Sequence, residues 1–176
     1  EDPYKLSTVE DLLNMKSQLI QYSTVYFSLQ NDIDMASVEN WTPLNNGDPD
    51  YDRYVDFEGN GHIIKNLTCT GAPYASFFGV LHGACRNVGF VNANVKSTNA
   101  GGIIAGYLGL RKPANEQNIG IVENCFTTGQ IEANPGGGIA GYLGAPSGER
   151  HCTIKNSYST AKVTGKSVGG VAGAFI

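Results

Sequence analysis

The sequence predicts an all-β fold, a right-handed parallel β-helix-like solenoid with a short α-helical N-terminal cap. Three observations carry this. An Asn set between β-favouring residues recurs four times in the second part of the chain. Each copy is followed by a run of small residues that ends in Gly. Helical periodicity is confined to the first twenty or so residues, and everything after it alternates or turns.

The N-terminal segment contains Ser7-Thr8-Val9-Glu10, which fits a capping box, with a hydroxyl and a carboxylate three residues apart serving the first orphan amides. Val9, Leu12, Leu13 and Ile20 then share one helical face, with Leu19 beside them. A helix over 7–20 follows, placed as the cap. Val25, Phe27 and Leu29 alternate with more polar neighbours, as a half-buried strand requires. Asn31-Asp32 reads as a turn, and Ile33-Asp34-Met35 as a short extended piece. Residues 45–52 form a polar loop.

The four Asn segments are Ile64-Lys65-Asn66-Leu67, Cys85-Arg86-Asn87-Val88, Val122-Glu123-Asn124-Cys125 and Ile154-Lys155-Asn156-Ser157. The terminal glycines that follow are Gly79, Gly106, Gly141 and Gly173, at gaps of 13, 19, 17 and 17 residues. Gly106-Tyr107-Leu108-Gly109 and Gly141-Tyr142-Leu143-Gly144 match residue for residue. A unit of this length cannot bury its apolar face alone, so stacking at about 4.8 Å is the way to a core. Asn66, Asn87, Asn124 and Asn156 are expected to form one ladder at a bend, where Asn tolerates left-handed φ. Gly79, Gly106, Gly141 and Gly173 are expected to form a second, allowing close backbone approach. Arg111 to Gly120 and Ala145 to Cys152 read as insertions that make the register drift.

Composition divides the chain at the same place. Residues 1–58 hold one of 23 Gly and 12 acids against three bases, while 59–176 hold the remaining Gly and four acids against nine bases. The expected organisation is a cap with lead-in strands over 1–58 and a Gly-rich solenoid over 59–176, continuing beyond 176. The overall charge of −4 argues against a nucleic-acid partner. No run of 18 apolar residues is present to span a membrane. The start at Glu1 reads as a mature or trimmed chain.

These residues resemble a known family. The Gly-aliphatic-aliphatic-Gly runs are similar to the GLUG motif. Phe57-Glu58-Gly59-Asn60-Gly61-His62-Ile63-Ile64-Lys65-Asn66-Leu67 resembles the lead-in of such domains, as do Leu29 to Met35 and Trp41-Thr42-Pro43-Leu44. Phe77-Phe78-Gly79 departs from the pattern in lacking the leading Gly, and Ala replaces the second aliphatic residue in three copies. The resemblance covers roughly 4–176. It implies a secreted or surface bacterial protein with adhesin-like roles, and related repeats accompany immunoglobulin A peptidases outside the protease domain.

Candidate chemistry is sparse. His62, His82 and His151 match no metal spacing, and no H-E-x-x-H occurs. Asp48, Asp50 and Asp52 alternate ahead of Asp56 and Glu58, but Arg53 and Gly59 stand where a helix-loop-helix calcium loop needs Gly and Glu, so a solvated acidic loop is the better reading. No metal or cofactor is expected. Cys69, Cys85, Cys125 and Cys152 occupy no common repeat position, which suits small buried residues as well as one or two disulfides. Tyr107 and Tyr142, at equivalent positions, are candidates for an exposed aromatic row that holds sugar or protein, with core cover as the alternative. Trp41, Tyr51 and Tyr54 around the acidic loop form a second candidate. The expected role is a non-catalytic secreted or surface module that binds host protein or glycan. The alternatives are an accessory domain of an immunoglobulin A peptidase-like protein and a polysaccharide-degrading β-helix enzyme.

Overall fold

The computed structural model describes residues 2–45, 53–109, 119–144 and 151–175. The chain enters as β1 (Tyr4–Leu6), forms the helix α1 (Val9–Gln21), and returns as β2 (Thr24–Leu29) and β3 (Ile33–Asp34). The second coil holds β4 (Tyr54–Glu58), β5 (Ile63–Lys65) and β6 (Thr68–Thr70). The first half of β7 (Phe78–Arg86) closes that coil, and its second half opens the third, which continues through β8 (Gly89–Lys96) and β9 (Ala105–Leu108). The fourth coil is β10 (Ile119–Glu123), β11 (Phe126–Glu132), β12 (Gly136–Gly137) and β13 (Ala140–Leu143). The fifth is β14 (His151–Lys155), β15 (Tyr158–Ser159), β16 (Lys162–Thr164), β17 (Val168–Gly169) and β18 (Ala172–Phe175).

The paired strands run parallel, each with its counterpart one coil away. The fold is thus a parallel β-helix-like stack with one N-terminal helix. One face runs β1-β2-β4-β7 and then β10-β14; the first half of β7 also leads into β9-β13-β18. A second face runs from β3 through β5 and β6, β8 and β11 to β15 and β16, and β12 pairs β17 in a third. β7 serves two faces because it bends at Gly83. Phe78, Val80 and Leu81 lie opposite β9, whereas His82 to Arg86 lie opposite β4, and Gly83 to Arg86 also face β10. Gly83 has φ +123°, and a Cβ there would collide with the Val55 carbonyl, so the bend demands glycine.

Interior columns hold like with like. Phe57, Cys85, Val122 and Ile154 face one another in register, as do Cys69, Val95, Ile131 and Val163. Two of the cysteines therefore stand where the other coils place aliphatic or aromatic residues, and among the described residues no disulfide forms. One hydrophobic cluster runs from Leu6 to Ala140. The compositional step at residue 58 falls at the end of β4, inside a continuous sheet.

The helix forms as expected, but its details shift. The N-cap is Thr8, whose hydroxyl accepts from Asp11 N at 3.1 Å, while the Asp11 carboxylate accepts from Thr8 N at 2.9 Å. The box is therefore Thr8/Asp11 and not Ser7/Glu10. Asp11 also accepts from Ser7 N at 2.8 Å, which explains the choice: one carboxylate serves two amides from that position. The buried face is Leu12, Met15 and Leu19, whereas Leu13 and Ile20 lie 52% and 66% exposed. A seam spaced i, i+3, i+7 is all that packing against β1 and β2 covers. Among the described residues no helix is long and apolar enough to cross a membrane.

Candidate functional site

The bends between the first and second faces carry the polar architecture. Asn66, Asn87, Asn92, Asn124 and Asn156 all sit at φ between 49° and 58°. Asn tolerates this left-handed region because its side chain bonds locally. Asn124 Nδ2 donates to Asn87 Oδ1 at 2.9 Å, and Asn87 Nδ2 donates to both Glu58 carboxylate oxygens at 3.0 Å. The expectation of one ladder through all four asparagines is corrected for Asn66. Strand register places Lys65 opposite Val91, so Asn66 lines up with Asn92. Its Nδ2 donates to Asp34 at 2.7 Å, and its Oδ1 accepts from Asn92 Nδ2 at 2.7 Å. Two ladders stand side by side because the second coil bends once at Asn60-Gly61 and again at Asn66, dividing its strand into β5 and β6. Bonding to Asn66 holds the Asp34 carboxyl below its ordinary value, helped by the Ala36 amide.

The glycines share a single column. Register sets Phe78 opposite Ala105, and Ala105 and Ala172 opposite Ala140, so Gly79, Gly106, Gly141 and Gly173 follow one above another. A Cβ on Gly141 would lie 2.7 Å from the Gly106 carbonyl oxygen, inside normal contact.

Outside the first face a charged column precedes the asparagines: Glu58, Arg86, Glu123 and Lys155 in register. Arg86 donates to Asp56 at 2.7 Å and lies 3.7 Å from Glu123, which pairs with Lys155 at 2.9 Å. Sequence reasoning missed this alternation, although the signal was present in the residue before each bend. Beside it, Tyr54 meets His82 edge-on at 5.5 Å and is half-buried. Burial, then the nearby Asp56 carboxylate, pushes its phenol upward.

The other aromatic candidates separate. Tyr107 and Tyr142 lie opposite each other with rings 5.6 Å apart, and Tyr74 closes on Tyr107 at 6.4 Å. Tyr107 is only 2% exposed, so it covers the sheet and is not part of an exposed row; Tyr142 is half-buried. Trp41 is likewise a core residue, 3% exposed, stacked on Phe77 at 5.1 Å with Nε1 donating to the Phe77 carbonyl at 2.9 Å. That indole needs a buried acceptor, and a chain crossing 36 residues away supplies it. Tyr51 and the acidic positions 48, 50 and 52 lie outside the described residues. Asp56 and Glu58, from the end of that segment, are engaged by Arg86 and Asn87. His62 sits 3.4 Å from Asp32 at a half-exposed turn.

Burial raises the thiols of Cys69, to about 11, and Cys85, whereas hydrogen bonding from the Cys85 thiol lowers Cys125. Among the described residues no three His, Cys, Asp or Glu side chains gather as a metal site would need.

No family model matches the chain, and no curated protein does. A solved structure does. It is 43% identical to this chain, superposes with a TM-score of 0.89, and covers 99% of the chain. That protein is described as a "putative immunoglobulin A1 protease" from Bacteroides ovatus, and the match takes in 53% of its own chain. The present chain thus spans about half the length of the bacterial immunoglobulin A1 protease-like chain it resembles, and shares that half's fold.

Proposed function

We propose that this chain is a non-catalytic accessory domain of a secreted or surface-exposed bacterial protein of the immunoglobulin A peptidase-like kind. The observation that carries the reading is the 43% identity, over 99% of the chain, to about half of the Bacteroides ovatus chain. GLUG-type repeats belong to the same proposal, supported by the single column of Gly79, Gly106, Gly141 and Gly173.

The local chemistry agrees with a binding rather than a catalytic role. A general acid or base must be able to reach substrate. On the charged face, Asp56 and Glu123 are held by Arg86, and Glu58 by Asn87. Stacked coils are stiff, and they present side chains at a fixed repeat, which suits holding a host protein or glycan for chemistry performed elsewhere.

The test incubates the 176-residue chain with immunoglobulin A1 and reads retention and fragment release together. Retention of intact immunoglobulin is the expected result. Fragments released by this chain alone overturn the non-catalytic reading, and failure to retain the immunoglobulin overturns the accessory role.

A further inference from the structure

At the N-terminal end of the stack, three tyrosines converge from three elements. Tyr4 comes from β1, Tyr26 points outward from β2 between buried Val25 and Phe27, and Tyr22 caps the end of α1 in extended conformation. With Asp2, Thr24 and Val25 they line an open cleft of about 280 Å³. The rings are 41%, 38% and 44% exposed for Tyr4, Tyr26 and Tyr22, whereas Phe27, Phe57, Phe77, Phe78 and Phe90 are at most 1% exposed. Tyr4 is positioned by its ring contact with Phe27 at 6.0 Å, and all three tyrosines stay partly exposed.

From this cleft we infer a carbohydrate-binding site for the neutral end of a glycan, one or two sugar rings long. Tyrosine rings offer apolar faces to sugar C–H groups, and their hydroxyls bond sugar hydroxyls at the rim. The Thr24 hydroxyl and the Asp2 carboxylate add a donor and acceptors. The cleft is smaller than the roughly 300–1,000 Å³ of drug-sized sites, which limits the ligand to a chain end. Charge sets its sign: among the residues that line the cleft only Asp2 is charged, so phosphorylated, sulfated or sialylated groups are disfavoured. Tyr54, opposite Thr24 in register, lies beside the cleft on the second coil and packs on His82.

The inference rests on this geometry and not on the accessory-domain reading, because it needs no immunoglobulin and uses different residues. The test is saturation-transfer NMR on the 176-residue chain with lactose and cellobiose as probes. Transfer to sugar ring C–H protons is expected, with the largest chemical-shift changes at the rings of Tyr4, Tyr22 and Tyr26. Tyr22→Ala and Tyr26→Ala should each weaken binding about tenfold. Tyr158→Ala, which removes a 58% exposed ring at the opposite end, should leave binding unchanged. Lack of transfer to both sugars at about 10 mM, where even a site of Kd about 1 mM is mostly filled, overturns the site. Larger shift changes elsewhere on the wild-type chain, readable whether or not a variant folds, overturn it as well. Stronger, tyrosine-dependent binding of an unglycosylated peptide assigns the cleft to polypeptide and overturns the sugar.

Discussion

Asn124 donates to Asn87 across one coil spacing at 2.9 Å, and both residues hold φ at 54°. The same residue type thus solves two problems at these two bends, the backbone conformation and the pairing of its own amide.

Asn124→Ala loses both contributions, about 1–2 kcal/mol for the left-handed backbone and about 1 kcal/mol for the ladder bond. Asn124→Gly restores the backbone and loses only the bond. Urea denaturation should rank wild type above Asn124→Gly above Asn124→Ala; a glycine variant less stable than the alanine one contradicts the conformational argument.

Gly83→Ala places a Cβ against the Val55 carbonyl, at φ +123°. The expected loss exceeds about 3 kcal/mol, enough to abolish folding of a marginal domain. Gly61→Ala is the control: φ is +80°, but nothing lies within 4 Å, so backbone strain of about 1–2 kcal/mol is the whole cost. Equal effects in thermal unfolding at the two sites would show that the close approach at Gly83 is unimportant.

Arg86→Met leaves Asp56 and Glu123 half-buried without their shared cation. A loss of about 1–2 kcal/mol is expected, between the values for exposed and buried pairs. Lys96→Met breaks a pair with Glu132 in which both side chains are 61% exposed, and should cost less than about 0.5 kcal/mol. Chemical denaturation of the two variants side by side checks the ranking.

Thiol access follows burial. Cys69, Cys85 and Cys125 are at most 2% exposed, and the Cys69 and Cys85 thiols are raised, whereas Cys152 is only half-buried. Iodoacetamide at about pH 8, near the free-thiol value, should label Cys152 alone in the native chain and all four after denaturation. Mass spectrometry reads the count, and early modification of Cys69 would contradict the packing.

Acid sensitivity is expected from Asp11 and Asp34. Hydrogen bonds from Ser7, Thr8 and, at Asp34, from Asn66 and the Ala36 amide hold both carboxyls below their ordinary value when folded. A carboxyl lowered by folding contributes stability above its unfolded value near pH 3.9, and that contribution is lost as pH falls through the folded value. Asp11→Asn and Asp34→Asn should therefore each flatten the decline in melting temperature below about pH 4. An unchanged acid limb in both variants would sever the link to these bonds.

Repetition itself is a sequence property. The small-residue motifs place Gly79, Gly106, Gly141 and Gly173 correctly because each is tied to its strand by neighbours that must also repeat. The strand around Val25, Phe27 and Leu29 was legible from alternation alone, as was a helix behind a hydroxyl and an acid. Left-handed asparagines were legible too, since that tolerance belongs to the residue.

What the tertiary structure alone decided is which residues meet across coils. Coil lengths differ, so counting along the chain set Asn66 with Asn87, whereas strand register set it with Asn92. Trp41 and Tyr107 looked available because the groups that cover them, Phe77 and Tyr74, lie more than thirty residues away in sequence. The Asp56–Arg86 pair and the cleft of Tyr4, Tyr22 and Tyr26 likewise join positions from different strands. Local patterns fix what a segment prefers; burial and pairing depend on the neighbouring coil, and that neighbour is chosen by packing of the whole stack.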